Sequence, residues 1–259
     1  MRRMSQLPSP PNWDDKLSAL AKFGFLLFVA GAVYSVAQTV VALQRGSIPA
    51  ALTAGGLALF MSGAVAAVST TWLASSTLHA VANNHGTTLR ANPFAVWSFV
   101  IALIGAAFGS GFFVIFITPG VAALPFAAPG RGLVNQFLMS SLLILSLIGL
   151  AALLKRREPG YLMVGPEGVE YADIFRTRSA RWEDIVDITD IADKRSRNPI
   201  GFLLKDTKPM VVPNAAGYAA GSAAVYWMVR HYWKHQEDRA ELTDGRALDR
   251  LRSEQFDPE

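Results

Sequence analysis

Four histidines and a scatter of carboxylates are the side chains of this chain with the widest chemical reach. His231 and His235 stand at i and i+4, a spacing that on a helix can present two imidazoles to one metal ion. The intervening Tyr232-Trp-Lys234 holds no glutamate, and Glu237 and Asp238 are the nearest candidates for a third ligand. Neither sits at a metal-site spacing, so the pair reads as solvated helix histidines. His79 and His85 flank a loop without acidic neighbours and suggest a metal even less. Glu183 and Asp184 read as an exposed turn rather than a paired acid and base. The chain has no cysteine, which removes thiol nucleophiles, thiolate metal sites and disulfides. No Walker loop, dinucleotide fingerprint or Gly-x-Ser-x-Gly elbow occurs. The glycine-rich pieces Gly105–Gly111 and Gly217–Gly221 lack the strand or the lysine of a phosphate loop. No catalytic, cofactor-binding or metal residue is therefore expected.

Two basic sets remain as contact candidates: Arg176, Arg178 and Arg181, and then Lys194, Arg195 and Arg197. Each basic residue held near an anionic bilayer is worth about 1 kcal/mol. The sets fit headgroup or partner contact, although plain solvated loops are the first reading of both. Gln38 and the runs Ser69-Thr-Thr71 and Ser75-Ser-Thr77 are the most polar positions inside otherwise apolar sequence. Hydroxyls in such places ordinarily bond the backbone of their own helix.

The elements that carry these residues follow from how charge is distributed. From Leu17 to Leu154 there is no acid, and the only basic residues are Lys22, Arg45, Arg90 and Arg131. Eighteen of the 20 acids lie after position 157. Residues 1–154 carry net charge +5 and residues 155–259 carry −1. A solvated domain needs charge on its face, whereas a charge at a bilayer centre costs at least about 2.5 kcal/mol. The chain thus divides between two solvents. Its overall +4 arises from residues flanking apolar runs and is no sign of nucleic-acid binding.

Four runs reach the roughly 20 residues a helix needs to cross a bilayer: Phe23–Leu43, Ala51–Leu73, Phe94–Ile117 and Leu133–Leu154. The first is too long, and too badly flanked for cleavage, to be a signal peptide. Lys and Arg concentrate before the first run (Arg2, Arg3, Lys16, Lys22) and after the fourth (Lys155-Arg156-Arg157). An even number of spans with those flanks places both termini in the cytoplasm, in a multi-pass plasma (inner) membrane protein. Small residues, above all Gly105 and Gly109, offer a helix-packing face. It can serve a compact bundle within one chain or the docking of a second one.

Beyond Arg157 short apolar runs alternate with turn signals. Tyr161-Leu-Met-Val164, the turn Gly165-Pro-Glu-Gly168 with Gly168 suited to positive φ, and Val169-Glu-Tyr171 come first. Trp182 through Ile191, Gly201-Phe-Leu-Leu204 and Met210-Val-Val212 follow, as in a small antiparallel sheet or barrel. Val225, Met228, Val229, Tyr232 and Trp233 then make one helical stripe, and an amphipathic helix is expected to about Leu242. The tail Thr243–Glu259 is charged, with at most a short helix near Ala247–Arg252.

Leu162-Met-Val-Gly-Pro-Glu-Gly-Val169 followed by Arg181-Trp-Glu-Asp-Ile-Val-Asp-Ile188 resembles the two signature stretches of bacterial PH-like (pleckstrin-homology-fold) domains. The resemblance covers roughly residues 159–242. It implies a β-barrel closed by a C-terminal helix, with Trp182 and Ile185 plugging it. Such domains often sit beside transmembrane helices in uncharacterised bacterial proteins. Members that bind phosphoinositides carry a basic cluster at the first hairpin, and Gly165–Gly168 has none.

The expected architecture is a four-helix membrane bundle plus a small cytoplasmic α+β PH-like barrel. Its parts are a leader (1–22), the transmembrane domain (23–157), the PH-like domain (158–242) and a charged tail (243–259). The expected function is non-enzymatic: a bilayer-anchored module that meets a membrane or cytoplasmic protein partner, or the membrane surface. The alternative is a small transporter or lipid-handling protein regulated by that module, with a cavity opening near Gln38 or Thr71–Thr77.

Overall fold

The computed structural model describes residues 7–13, 19–72, 78–117, 132–156, 160–191, 198–218 and 222–258. These divide into two compact units.

The first unit spans Ser18–Thr70 and Pro93–Arg157. It contains α1 (Ala19–Gln44), α2 (Ile48–Trp72), α3 (Pro93–Phe112) and α4 (Gly132–Lys155). All four are long and apolar enough to cross a membrane, with α3 counted together with the π-helical turn Phe113–Ile117 that prolongs it. Side chains are sorted in the reverse of a water-soluble protein. Large apolar residues such as Leu26, Val33, Phe137 and Leu145 are exposed, while Ala54, Ala102, Gly105, Ala106 and Gly109 are buried. That sorting suits hydrocarbon, where helices associate through close backbone approach rather than by hiding apolar surface from water. A methyl group on Gly56 would stand 2.4 Å from the backbone of Gly109, and one on Gly105 would stand 2.6 Å from the nitrogen of Phe60. The Gly105/Gly109 face is thus filled by α2 of the same chain.

The second unit is discontinuous. Its residues fall within Met1–Leu17, Thr71–Asn92 and Glu158–Glu259, which corrects the division into consecutive blocks. The stretch between α2 and α3, expected as a plain loop, forms a hairpin of β1 (Ala80–Asn83) and β2 (Gly86–Arg90). Asn83 Oδ1 accepts from the backbone N–H groups of His85 and Gly86, at 2.9 and 3.1 Å, and so fixes the turn. β2 pairs antiparallel with β3 (Tyr161–Val164), which continues through β4 (Gly168–Ala172) to β5 (Thr177–Arg181). The result is a five-stranded sheet in the order β1-β2-β3-β4-β5. Leu89 lies opposite Leu162, and Leu162 opposite Tyr171, giving a buried row across three strands.

Gly168 does not adopt positive φ. It is glycine because a Cβ there would lie 2.2 Å from the Ala180 carbonyl oxygen on β5.

A second antiparallel sheet holds β6 (Ile185–Thr189), β7 (Ile200–Leu204) and β8 (Met210–Val212). α5 (Ser222–Lys234) packs with both sheets, burying Val225, Met228, Val229 and Tyr232 in one core with Leu162, Ile188 and Phe202. Its side chains also occupy carbonyls of the edge strand β6. Tyr226 Oη and Arg230 donate to Ile188 O at 3.3 and 3.2 Å, and Trp233 Nε1 donates to Ile185 O at 3.2 Å. An edge so covered is protected from pairing with another chain.

α5 stops at Lys234, two turns before the expected end. Arg239 folds back, donating to Tyr232 O at 2.8 Å and Trp233 O at 3.2 Å, which satisfies carbonyls the helix leaves open. The segment expected as a charged tail then forms α6 (Glu241–Asp244) and α7 (Arg246–Ser253), hinged at Gly245 with φ +91°. Leu242, Ala247, Leu251 and Phe256 enter the main core, so the tail is structural.

Candidate functional site

Several polar groups of the second unit converge on its C-terminal segment. His231, read as solvated, is buried. Its Nε2 lies 2.9 Å from Asp238 Oδ2 and 3.2 Å from an Arg250 guanidinium nitrogen. Arg250 also donates to Glu241 Oε1 at 2.7 Å, and Glu241 Oε2 accepts from Tyr232 Oη at 3.0 Å. Burial first, then the neighbouring Arg250 and His235, holds the His231 imidazole below its usual value, although the Asp238 contact acts in the other direction. Burial and the bond to Glu241 raise the Tyr232 phenol. His235 packs against His231, its ring tilted 32° with centroids 4.6 Å apart, and contacts the exposed Glu237 at 3.2 Å. Among the described residues no three histidine or carboxylate groups converge as metal ligands. Chemically the cluster is a staple: it ties α5, α6 and α7 together through neutral imidazole and paired charge. The two histidines were visible in the sequence. Asp238 was visible only as a candidate third ligand, and Glu241 and Arg250 were hidden by their ordinary spacing in a charged stretch.

Trp182 is the second focus. It is buried at the start of a single 3₁₀ turn, Trp182–Asp184, and donates from Nε1 to Gly165 O at 2.9 Å. The Arg239 guanidinium lies over its ring at 5.0 Å. One tryptophan therefore connects the β3–β4 turn, the entry to β6 and the cap of α5. Glu183 and Asp184 lie exposed beside it.

The N-terminal segment 7–13 forms a third feature that sequence reading missed. Leu7 enters the core, and Pro8 O accepts from Trp227 Nε1 at 2.8 Å. Asp190 accepts from both the backbone and side-chain nitrogens of Asn12, at 2.9 and 3.0 Å. Trp13 donates to Pro199 O at 3.1 Å and meets Tyr226 edge-on.

The first basic set does not act as one patch. Arg178 lies opposite Tyr171 and Arg181 opposite Gly168 on β5, three residues apart and hence on opposite faces of the sheet. Arg181 makes an exposed ion pair with Glu183 at 3.4 Å. Arg176 sits at the β4–β5 turn, where Asp173 Oδ1 accepts from its N–H and from that of Phe175. Phe175 is 64% exposed beside it. Lys194, Arg195 and Arg197 lie outside the described residues.

No protein-family model, curated protein or solved structure matches the chain.

In the membrane-type unit one cavity of about 190 Å³ lies between α1 and α2. Tyr34, Ser35 and Gln38 line it from α1, and Ala54, Leu57 and Met61 from α2. The buried Gln38 Oε1 has no hydrogen-bond partner. Thr39 Oγ1 donates to Ser35 O and Thr70 Oγ1 to Ala67 O, as expected, whereas the buried Thr53 Oγ1 on α2 has no hydrogen-bond partner. Residues 73–77, including Ser75, Ser76 and Thr77, lie outside the described set.

Proposed function

We propose that this is a non-enzymatic, multi-pass membrane protein whose soluble unit is a PH-like module for docking a protein or a membrane surface on the cytoplasmic side. One observation carries the reading: all four helices lead directly into that unit. The chain passes between the units at residues 17–18, 70–71, 92–93 and 157–158. A passive anchor requires a single tether. Four tethers mean that a force or a partner acting on the module acts on every helix.

The PH-like assignment is supported by the β3-β4-β5 and β6-β7-β8 meanders followed by α5, and by Trp182 buried where the chain enters β6. β2 adds a further strand beside β3, from the segment between α2 and α3. The orientation is supported by the discontinuity of the soluble unit. Segments before α1, between α2 and α3, and after α4 join one fold and so share one side of a bilayer. Lys155 and Arg156 stand at that side, as positive-inside placement requires. Phe175, Val186 and Ile191 are large apolar side chains exposed on the module, and they are the contacts we assign to docking.

Photocrosslinking residues placed at Phe175 and Val186 in the intact protein, in cells, test this reading. Expected is a discrete adduct to one protein or to lipid from either position, lost when Ile191 is changed to Glu. Adducts to water alone at both positions would remove it.

A second reading, a small transporter or lipid-handling protein, is supported by the cavity beside Gln38. It requires solute or lipid flux in reconstituted vesicles, and a flux equal to that of protein-free vesicles would dismiss it.

A further inference from the structure

We infer that the cavity between α1 and α2 is a binding site for a hydroxyl group carried on an apolar stem, an alcohol-type amphiphile entering from the bilayer. The inference draws on the second reading only for its purpose, because site occupancy and flux are measured separately.

Between Lys22 and Gln44, α1 has only four hydrogen-bonding side chains: Tyr34, Ser35, Gln38 and Thr39. Three of them line the cavity. The fourth, Thr39, bonds back to Ser35 O. The facing wall from α2 is Ala54, Leu57 and Met61, which offers Gln38 no donor and no acceptor. Gln38 thus lines the cavity, and its side-chain oxygen is buried without a hydrogen-bond partner. In hydrocarbon that arrangement is unfavourable, because no water is at hand to complete the bond.

The shape of the site restricts the occupant. A volume of about 190 Å³ equals that of about six waters at liquid density, too small for a whole lipid but enough for a polar group with a short stem. Tyr34 is half exposed at the outer surface of α1, so the approach is from the lipid phase. A carboxamide presents C=O or NH₂ according to its rotation by 180°. The group that satisfies both settings is a hydroxyl, which donates and accepts. The site carries no charged residue, so phosphate or ammonium groups have no counter-charge there. The hydroxyl can belong to a membrane lipid or to an apolar alcohol dissolved in the bilayer.

The test uses the full-length protein in phosphatidylcholine nanodiscs with a diazirine-bearing eight-carbon primary alcohol, and its methyl ether as control. Labelled peptides are mapped by mass spectrometry. Expected is at least fivefold more labelling of residues 31–38 and 54–61 by the alcohol than by the ether. Gln38→Leu should bring the alcohol down to the ether level without lowering the thermal unfolding temperature, since it removes an unpaired polar group. Ala54→Leu, which fills the cavity, should abolish both. Equal labelling by alcohol and ether, or an unchanged pattern in Gln38→Leu, would overturn the site and leave water as its occupant. Adding diacylglycerol to the nanodiscs separates the sources: competition assigns the site to a lipid hydroxyl, and undiminished labelling assigns it to a free alcohol.

Discussion

Trp182 shows how much of the second unit depends on single side chains. Its indole N–H holds the β3–β4 turn, and its ring carries the Arg239 guanidinium that ends α5. Trp182→Phe keeps the apolar bulk and loses the hydrogen bond. A loss of about 1–2 kcal/mol is expected, read as a lower unfolding temperature of the module by tryptophan-independent circular dichroism. An unchanged temperature would show the bond to be replaceable. His231 makes a second prediction at this scale. Asp238, Arg250, His235, Tyr232 and Glu241 surround it, and burial lowers its pKa in the folded state. The unfolded chain, with imidazole near its ordinary value of about 6.5, takes up the proton first. The contribution of His231 to stability is thus complete above about pH 6.5 and declines as pH falls toward the folded pKa. His231→Asn cannot titrate, so the stability difference between wild type and variant should shrink from pH 7 to pH 5 in denaturant titrations. A difference that widens on acidification would contradict the assignment.

At the scale of elements, two packings carry the architecture. α2 and α3 touch backbone to backbone through Gly56, Gly63, Gly105 and Gly109. Gly109→Leu has no space and should force the pair apart, giving lower yield of folded protein in mild detergent and a markedly lower unfolding temperature. Gly132→Leu, which meets nothing within 4 Å, is the matched control and should leave both unchanged. The β1–β2 hairpin is secured from above by Thr87, whose buried hydroxyl donates to Leu242 O at 2.8 Å. Thr87→Val keeps the shape, leaves that carbonyl unpaired and should cost about 1–3 kcal/mol; slower hydrogen exchange in β1 than in the parent would refute it. The four spans were legible because hydrophobicity is a local property of consecutive residues. The hairpin was not, since Ala80-Val-Ala-Asn83 and Gly86-Thr-Thr-Leu-Arg90 are weakly patterned and their strand partner begins at Tyr161. Segment 7–13 was illegible for the same reason, with Trp227 as its partner near the other end of the chain. The tail did give a signal, Ala247, Leu248 and Leu251 on one side of a short helix, but its charges argued for solvation. Gly168 was assigned to the right turn for the wrong reason: a neighbouring strand, not its own φ, demands glycine.

For the whole molecule, the decisive prediction concerns sidedness. The chain has no cysteine, so single cysteines report without background. Ser9→Cys, Thr177→Cys and His85→Cys should all react with a membrane-impermeant maleimide only after the cells are opened. Ser47→Cys, between α1 and α2, should react in intact cells. A split among the first three would break the single compact unit to which all three positions belong. Candidate sites were less legible than the fold at this scale. Gln38 stood out as polar in an apolar run, but only its packing against α2 shows that its amide oxygen has no partner.

The position of β2 has a consequence for how the protein is made. The hairpin leaves the ribosome before α3 and α4, yet the strand that covers its edge is synthesised only after both. At about 5–20 residues per second, the edge stays open for several seconds of translation. A nascent chain with α3 or α4 inserted the wrong way round would leave β3 on the opposite side of the membrane from its partner. The antiparallel ladder between β2 and β3 can close only in a correctly threaded chain, and a misthreaded one keeps a bare strand edge.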